Sequence, residues 1–205
     1  ATATAGEFNP QDVANVIVVQ ADRGLLEAMQ RRAKKMVGDF TPHNVGNVLW
    51  ALAAMRERAD RGLLEDLQRR ATGMAERFEP QDVANVLWAL ATMGEMTDRV
   101  QEAMERRATE TAEKFHPQEV SSLLWALAKM GDRADPGLLE TMQRRATGMA
   151  EKFEPEHVAN VLWALATMGE MTDRVQEAME RRATETAEKF HPQEVSSLLW
   201  ALAKM

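Results

Sequence analysis

The sequence predicts an all-α protein, an α-solenoid of tandem helix-turn-helix repeats that are each 37 or 38 residues long. Three observations support this fold class. The aromatic residues recur at a fixed period, and apolar residues recur at helical spacing between them. Alternating runs rich in β-branched residues, which would indicate strands, do not occur. We expect the resulting superhelix to be right-handed.

The aromatic residues define the repeat. Each phenylalanine is followed two residues later by a proline, and each tryptophan lies ten residues after a phenylalanine. The phenylalanines are Phe8, Phe40, Phe78, Phe115, Phe153 and Phe190, and the tryptophans are Trp50, Trp88, Trp125, Trp163 and Trp200. These positions divide one array, residues 1–205, into repeats 8–39 (shortened), 40–77, 78–114, 115–152, 153–189 and 190–205 (partial). Because a terminal helix with an exposed apolar face is a poor cap, we expect a longer array.

A longer period is superimposed on the short one. Residues 78–130 and 153–205 differ only at Gln81/Glu156 and Asp82/His157. A unit of two repeats has therefore been copied, and such near-identity leaves open a designed, consensus-like array.

The sequence of each repeat predicts two helices. The repeat that begins at Phe78 is the example. Pro80 suits the first position of a helix, and Gly94 suits its end. Between them lie the apolar positions Val83, Val86, Leu87 and Leu90. Thr97 or Asp98 is expected to cap the second helix. Its apolar stripe comprises Val100, Met104, Ala108, Thr111, Ala112 and Phe115. In a later copy, Asp135 and Pro136 predict a capped start.

A second stripe on the first helix of each repeat is the candidate binding surface. At about 100° per residue, positions i, i+4, i+7 and i+11 lie roughly opposite the buried side. This stripe presents a tryptophan with an Asn or Ser, which suits a reader of single-stranded RNA, because aromatic rings stack on bases and short polar groups reach base edges. The candidate RNA-binding residues are Asn47, Trp50, Gln81, Asn85, Trp88, Gln118, Ser122, Trp125, Lys129, Asn160, Trp163, Ser197, Trp200 and Lys204.

The same tryptophans have an alternative interpretation as packing between adjacent repeats, since repeated aromatic residues commonly form the core. The Asn/Ser alternation equally fits simple duplication of the two-repeat unit. Both interpretations stay open at the level of sequence.

The second helices carry arginine pairs, Arg31-Arg32, Arg69-Arg70, Arg106-Arg107, Arg144-Arg145 and Arg181-Arg182. A row of arginines can bind phosphates. A glutamate precedes the first arginine of each pair by four residues, which favours ion pairs along a solvated helix face. We therefore interpret the arginine row as largely neutralised.

Composition excludes several functions. The chain has no cysteine and a net charge of -7, which removes thiol chemistry and argues against non-specific coating of nucleic acid. The histidines have no metal-ligand spacing, and no nucleophile elbow, phosphate loop or carboxylate pair occurs. We expect no enzyme activity, metal, cofactor or small-molecule substrate. No apolar run is long enough for a membrane span, and the first residues do not form a targeting peptide.

Residues 78–94 and 115–131 resemble octotricopeptide repeats, with a proline-led first helix and a Leu-Trp-Ala-Leu-Ala core. The resemblance covers nearly the whole chain. It implies a helix-pair solenoid of a plastid or mitochondrion that binds particular transcripts and supports their stability, processing or translation. The RNA-facing residues it implies are the polar members of the first helix, including Asn85, Ser122, Asn160 and Ser197. Because the segment is net acidic, a scaffold that holds other protein subunits of an organellar assembly is the alternative.

Overall fold

A computed structural model describes residues 23–55 and 59–205. The chain divides into two compact units, one ending at Arg107 and one running from Ala108 to Met205. The described residues form ten α-helices and no strand, which confirms the all-α repeat fold. The helices are α1 Arg23–Met36, α2 Pro42–Ala54, α3 Arg61–Gly73, α4 Pro80–Met93, α5 Asp98–Glu110, α6 Pro117–Met130, α7 Pro136–Gly148, α8 Pro155–Met168, α9 Asp173–Glu185 and α10 Pro192–Lys204.

The helices alternate as the repeat predicts. The even-numbered helices begin at the proline of each Phe-x-Pro corner, and each odd-numbered helix ends in a short 3₁₀ turn that leads to the next corner. The first helix of repeat 8–39 lies outside the described residues. Asp135 caps α7 by accepting from the Leu138 N–H, and Gly94 ends α4 at a φ of 70°, a left-handed conformation that favours glycine.

The core follows the two predicted stripes. Val83, Leu87 and Leu90 of α4 are fully buried, and the same is true of Val100 and Met104 of α5. The corner phenylalanines Phe40, Phe78, Phe115 and Phe153 have no exposed surface. Burial of the phenylalanine ring at each of these corners therefore stabilises the packing of the helices around it.

First helices pack on first helices. In the first unit α2 lies against α4, and in the second unit α8 lies between α6 and α10. Small residues permit this close approach, because a Cβ added at Gly46 would meet backbone atoms of Asp82 at 3.4 Å. Ala84, Ser121 and Ala159 are buried at the same position of their repeats. The tryptophan stripes of consecutive first helices are therefore adjacent within each unit.

Partly buried arginines stabilise each repeat through hydrogen bonds that the sequence did not predict. In four of the five pairs the second arginine donates to the carbonyl of the corner phenylalanine of its own repeat: Arg70 to Phe40, Arg107 to Phe78, Arg145 to Phe115 and Arg182 to Phe153. We call these four interactions the arginine clasps.

Buried glutamines connect one repeat to the next. Gln68 Nε2 donates to the Glu95 carbonyl at 2.9 Å, and its Oε1 accepts from the Thr97 hydroxyl at 2.6 Å. Gln143 makes the same two contacts with Glu170 and Thr172. The Thr172 hydroxyl makes no capping hydrogen bond at the start of α9.

The first arginines of the pairs are exposed where they lie near acidic groups. Arg31 lies 3.9 Å from Glu27, as the i, i+4 spacing predicts. In α3 the pairing differs, because Arg69 lies 3.2 Å from Asp66 while Glu65 lies 3.2 Å from Arg61. Exposed pairs of this kind stabilise the fold weakly.

Candidate nucleic-acid interface

None of the candidate RNA-binding side chains is fully buried. Six are exposed: Trp50, Gln81, Gln118, Lys129, Trp200 and Lys204. Eight are partly buried: Asn47, Asn85, Trp88, Ser122, Trp125, Asn160, Trp163 and Ser197. The stripe thus lies at the surface, while more than half of its side chains are also partly covered by neighbouring residues.

The tryptophans of the second unit form a continuous row, which we call the second-unit row: Trp125, Trp163 and Trp200. The ring centroids of Trp125 and Trp163 are 6.2 Å apart, with 26° between the ring planes. Those of Trp163 and Trp200 are 6.1 Å apart, with 33° between the planes. Adjacent repeats therefore place their indoles in mutual contact at the protein surface.

Lysines cover part of this row. The ammonium of Lys129 lies 5.1 Å from the Trp125 ring centroid and 5.3 Å from that of Trp163. Lys204 lies 5.8 Å from the centroid of Trp200. These distances allow cation–π attraction, so each lysine is held beside the indoles with its charge at the surface.

The first unit carries a pair instead, which we call the first-unit pair: Trp50 and Trp88. Their centroids are 6.2 Å apart, with 30° between the planes, and Trp50 is 37% exposed. Ala54 stands where the second unit has Lys129. The Trp50–Trp88 and Trp125–Trp163 pairs therefore match in ring geometry, but the residue four positions after the first ring is charged only in the second unit.

A polar cluster precedes the first-unit pair. His43 Nδ1 lies 3.1 Å from Asp82 Oδ1, and His43 Nε2 lies 3.0 Å from Asn47 Nδ2. Because an amide nitrogen only donates, Nε2 accepts and the proton of neutral His43 is on Nδ1, directed at Asp82. The candidate residue Asn47 is thereby oriented by His43, one turn earlier on the same helix. The contact of His43 with Asp82 joins two repeats, so the helical wheel of a single repeat does not show it.

This cluster includes one of the two positions at which the copied segments differ, Asp82/His157. Asp82, which meets His43 of the preceding repeat, is replaced by His157 in the second copy, where Gln118 occupies the position of His43. In the second copy His157 Nδ1 instead accepts from the Glu154 N–H at the start of α8. The substitution therefore changes a contact between repeats into a local cap.

Two further properties bear on function. No group of three or more histidine or acidic side chains within residues 23–55 and 59–205 is arranged to hold a metal ion. Among the helices described, none has both the length and the apolar character that crossing a bilayer requires.

The fold and the surface tryptophans define a helical-repeat protein. A family model described as RNA-editing substrate-binding complex 6 protein matches residues 11–136, which is more than half of the chain. The chain belongs to this family, and its class is thus a helical-repeat protein associated with RNA editing. Residues 3–17 and 133–162 match a second model, described as Protein of unknown function (DUF1601). No curated protein matches the chain.

Proposed function

We propose that this chain is a non-catalytic protein that binds single-stranded RNA along the tryptophan stripe of its first helices. The second-unit row supports this most directly, because it combines aromatic rings with two surface ammonium groups. The family description supports it independently, since it names a complex that binds RNA-editing substrates. Stacking on an aromatic side chain is worth about 1–3 kcal/mol per base.

The ring spacing limits how a base binds. One stacking layer is about 3.4 Å thick, so a base inserted between two rings needs roughly 6.8 Å between them. The indoles of the second-unit row are 6.1–6.2 Å apart and already touch. Bases therefore stack on the solvent-facing part of each indole, while Lys129 and Lys204 meet phosphates and Ser122, Asn160 and Ser197 reach base edges.

The remaining parts of the proposal rest on the resemblance. Residues 1–205 form a single array of octotricopeptide-type repeats, with the repeat boundaries that the sequence predicts. The array acts in a plastid or mitochondrion, in the stability, processing or translation of transcripts. Its partners are the RNA and other protein subunits.

The test is filter binding of a pool of single-stranded RNAs over a range of salt concentrations. For single strands the logarithm of affinity falls with that of salt by about 0.7 per phosphate contact. Replacing Lys129 and Lys204 with alanine should reduce that slope by about 1.4. Lys152→Ala, which removes an exposed lysine outside the row, is the matched control and should leave the slope near that of the native chain. Absence of binding at low salt would reject the proposal for this chain.

A second candidate function, a scaffold for other subunits, is favoured by the mutual stacking of the indoles, which gives each ring a partner within the chain. The scaffold predicts co-purification of a protein and tryptophan emission that RNA does not change. RNA binding predicts that RNA quenches this tryptophan emission and that replacing Lys129 and Lys204 with alanine weakens the quenching.

A further inference from the structure

One candidate RNA-binding residue, Asn47, is held by two successive hydrogen bonds that begin in the next repeat. His43 Nδ1 lies 3.1 Å from Oδ1 of Asp82, and His43 Nε2 lies 3.0 Å from Nδ2 of Asn47. Asp82 is buried, His43 is exposed and Asn47 is partly buried. The two bonds therefore connect a buried carboxylate to the surface stripe that carries Trp50.

The chemistry of these groups fixes the direction of each hydrogen bond. An ionised carboxylate only accepts, so Asp82 requires the proton of a neutral His43 to be on Nδ1. Nε2 then has a lone pair, which Asn47 can satisfy only by donating from Nδ2. Because the amide donates from one end and accepts at the other, Oδ1 of Asn47 is turned away from His43. An unconstrained asparagine presents either end of its amide, whereas Asn47 is restricted to one orientation.

The orientation of Asn47 determines which base suits this repeat. Asn47 precedes Trp50 by three residues, so the two side chains are neighbours on one face of α2. Adenine and cytosine carry an exocyclic amino group where guanine and uracil carry a carbonyl. We propose that Asn47 presents Oδ1 to the nucleotide that stacks on Trp50 and thereby selects an amino base, adenine or cytosine. His43 is the positioning residue that fixes this preference, a role that rests on the RNA function proposed above.

The residue four positions before the asparagine differs between repeats, and its chemistry decides whether the amide is oriented. Gln81 precedes Asn85, and a glutamine amide can donate or accept, so this residue type does not select one orientation. Glu156 precedes Asn160, and an ionised glutamate only accepts, as Nε2 of neutral His43 does. A glutamate in place of His43 should therefore preserve the orientation of the asparagine, whereas a lysine, which only donates, should reverse it.

The experiment measures binding of the full chain to oligocytidine and oligouridine of equal length by fluorescence anisotropy. The pH is about 8, where a histidine side chain is ordinarily neutral. Cytosine and uracil have the same ring size, and cytosine has the amino group where uracil has the carbonyl. His43→Lys should lower the ratio of cytidine to uridine affinity by about 2- to 10-fold, as expected for one hydrogen bond. An unchanged ratio would overturn the proposal.

Two control variants separate hydrogen-bond direction from structure and from charge. His43→Glu keeps an acceptor four residues before Asn47, so the affinity ratio should stay within about 2-fold of the native value. Ala54→Lys adds a positive charge at an exposed position two turns after Asn47, and should strengthen binding of both oligonucleotides without changing their ratio. If either control lowers the ratio as much as His43→Lys does, the direction of the hydrogen bond is not the cause and the proposal is wrong.

The tautomer of His43 is measured without RNA. Long-range ¹H–¹⁵N NMR spectra of the native chain at the same pH should show a protonated Nδ1 and an unprotonated Nε2 for His43. The opposite tautomer would overturn the proposal even if RNA binds. If both oligonucleotides bind and His43→Lys leaves their affinity ratio unchanged, the RNA function stands and the role of His43 is rejected. Absence of binding to either oligonucleotide at low salt would reject both.

Discussion

Residues 115–130 and 190–205 have identical sequences but different surroundings. In α6, Leu124 is completely buried, because α7 and α8 cover that side of the helix. The equivalent Leu199 of α10 is 61% exposed, and Phe190 is only partly buried where Phe115 is fully buried. The same residues thus form core or surface according to whether a following repeat packs on them. Stability in this fold is therefore a property of neighbouring repeats, not of single helices.

The largest effect is expected when the variant Leu124→Ala is compared with Leu199→Ala. Leu124→Ala should lower the free energy of unfolding by about 2–5 kcal/mol, because it leaves a cavity among packed helices. Leu199→Ala should cost less than about 1 kcal/mol, since an exposed substitution removes little packing. Urea denaturation of both variants measures the difference. Equal losses would show that burial by the next repeat does not determine the contribution of this leucine.

Helical periodicity was sufficient to predict much of this fold. The spacing of Val83, Leu87 and Leu90 indicated the buried side of α4, and the prolines and glycines indicated the helix ends. These features depend on a few residues along one helix, so a single repeat contains the information. The same wheel placed the Trp88 stripe opposite the buried side, but it left packing between repeats open as the alternative.

The contacts that complete the site could not be predicted in this way. The arginine clasps join residues about 30 positions apart, and the Lys129 ammonium meets the ring of the next repeat. Such contacts depend on the angle at which helices cross, which the helical period does not specify. One sequence signal was available, since the second arginine of each pair recurs together with the corner phenylalanine in every full repeat.

The arginine clasps form within a single repeat. Their contribution to the free energy of unfolding should therefore not depend on whether a following repeat packs on them. Arg145→Ala and Arg182→Ala should each cost about 1.5–3 kcal/mol, since each removes a charged donor from a buried carbonyl. Arg144→Ala and Arg181→Ala, which remove more exposed arginines, are matched controls and should stay within about 0.5 kcal/mol of the native chain. Urea midpoints report all four. A much smaller loss for Arg182→Ala than for Arg145→Ala would mean that the clasps also depend on the next repeat.

The tryptophan side chains have exposures between those of the buried Leu124 and the exposed Leu199. Trp125→Ala should cost about 1–3 kcal/mol, less than the roughly 3–5 kcal/mol of a fully buried aromatic residue, because the ring is only partly covered. Trp200, which is 42% exposed, should cost less on truncation to alanine. RNA filter binding separates stability from function: both variants should lose affinity if the row contacts bases. A large loss of stability with unchanged RNA affinity would assign Trp125 to packing alone.

The smallest effect concerns an exposed contact between repeats. Asp60 caps α3 by accepting from the Leu63 N–H at 2.7 Å, and its carboxylate lies 3.2 Å from the Lys34 ammonium of α1. The Leu63 N–H and then Lys34 hold the pKa of Asp60 below its ordinary value of 3.8. Since the folded pKa is lowered, this stabilisation is present above that value and is lost as the pH falls through the folded pKa.

Asp60→Asn keeps an oxygen acceptor for the cap but removes the charge. It should therefore lower stability by less than about 1 kcal/mol near neutral pH, and the difference from the native chain should vanish in strong acid. Urea denaturation between neutral pH and strong acid measures this. Lys34→Met is the control: in its background the Asp60→Asn difference should shrink, because part of the lowering of the pKa comes from Lys34. A difference that grows as the pH falls would have the wrong sign for a carboxylate stabilised in its charged form.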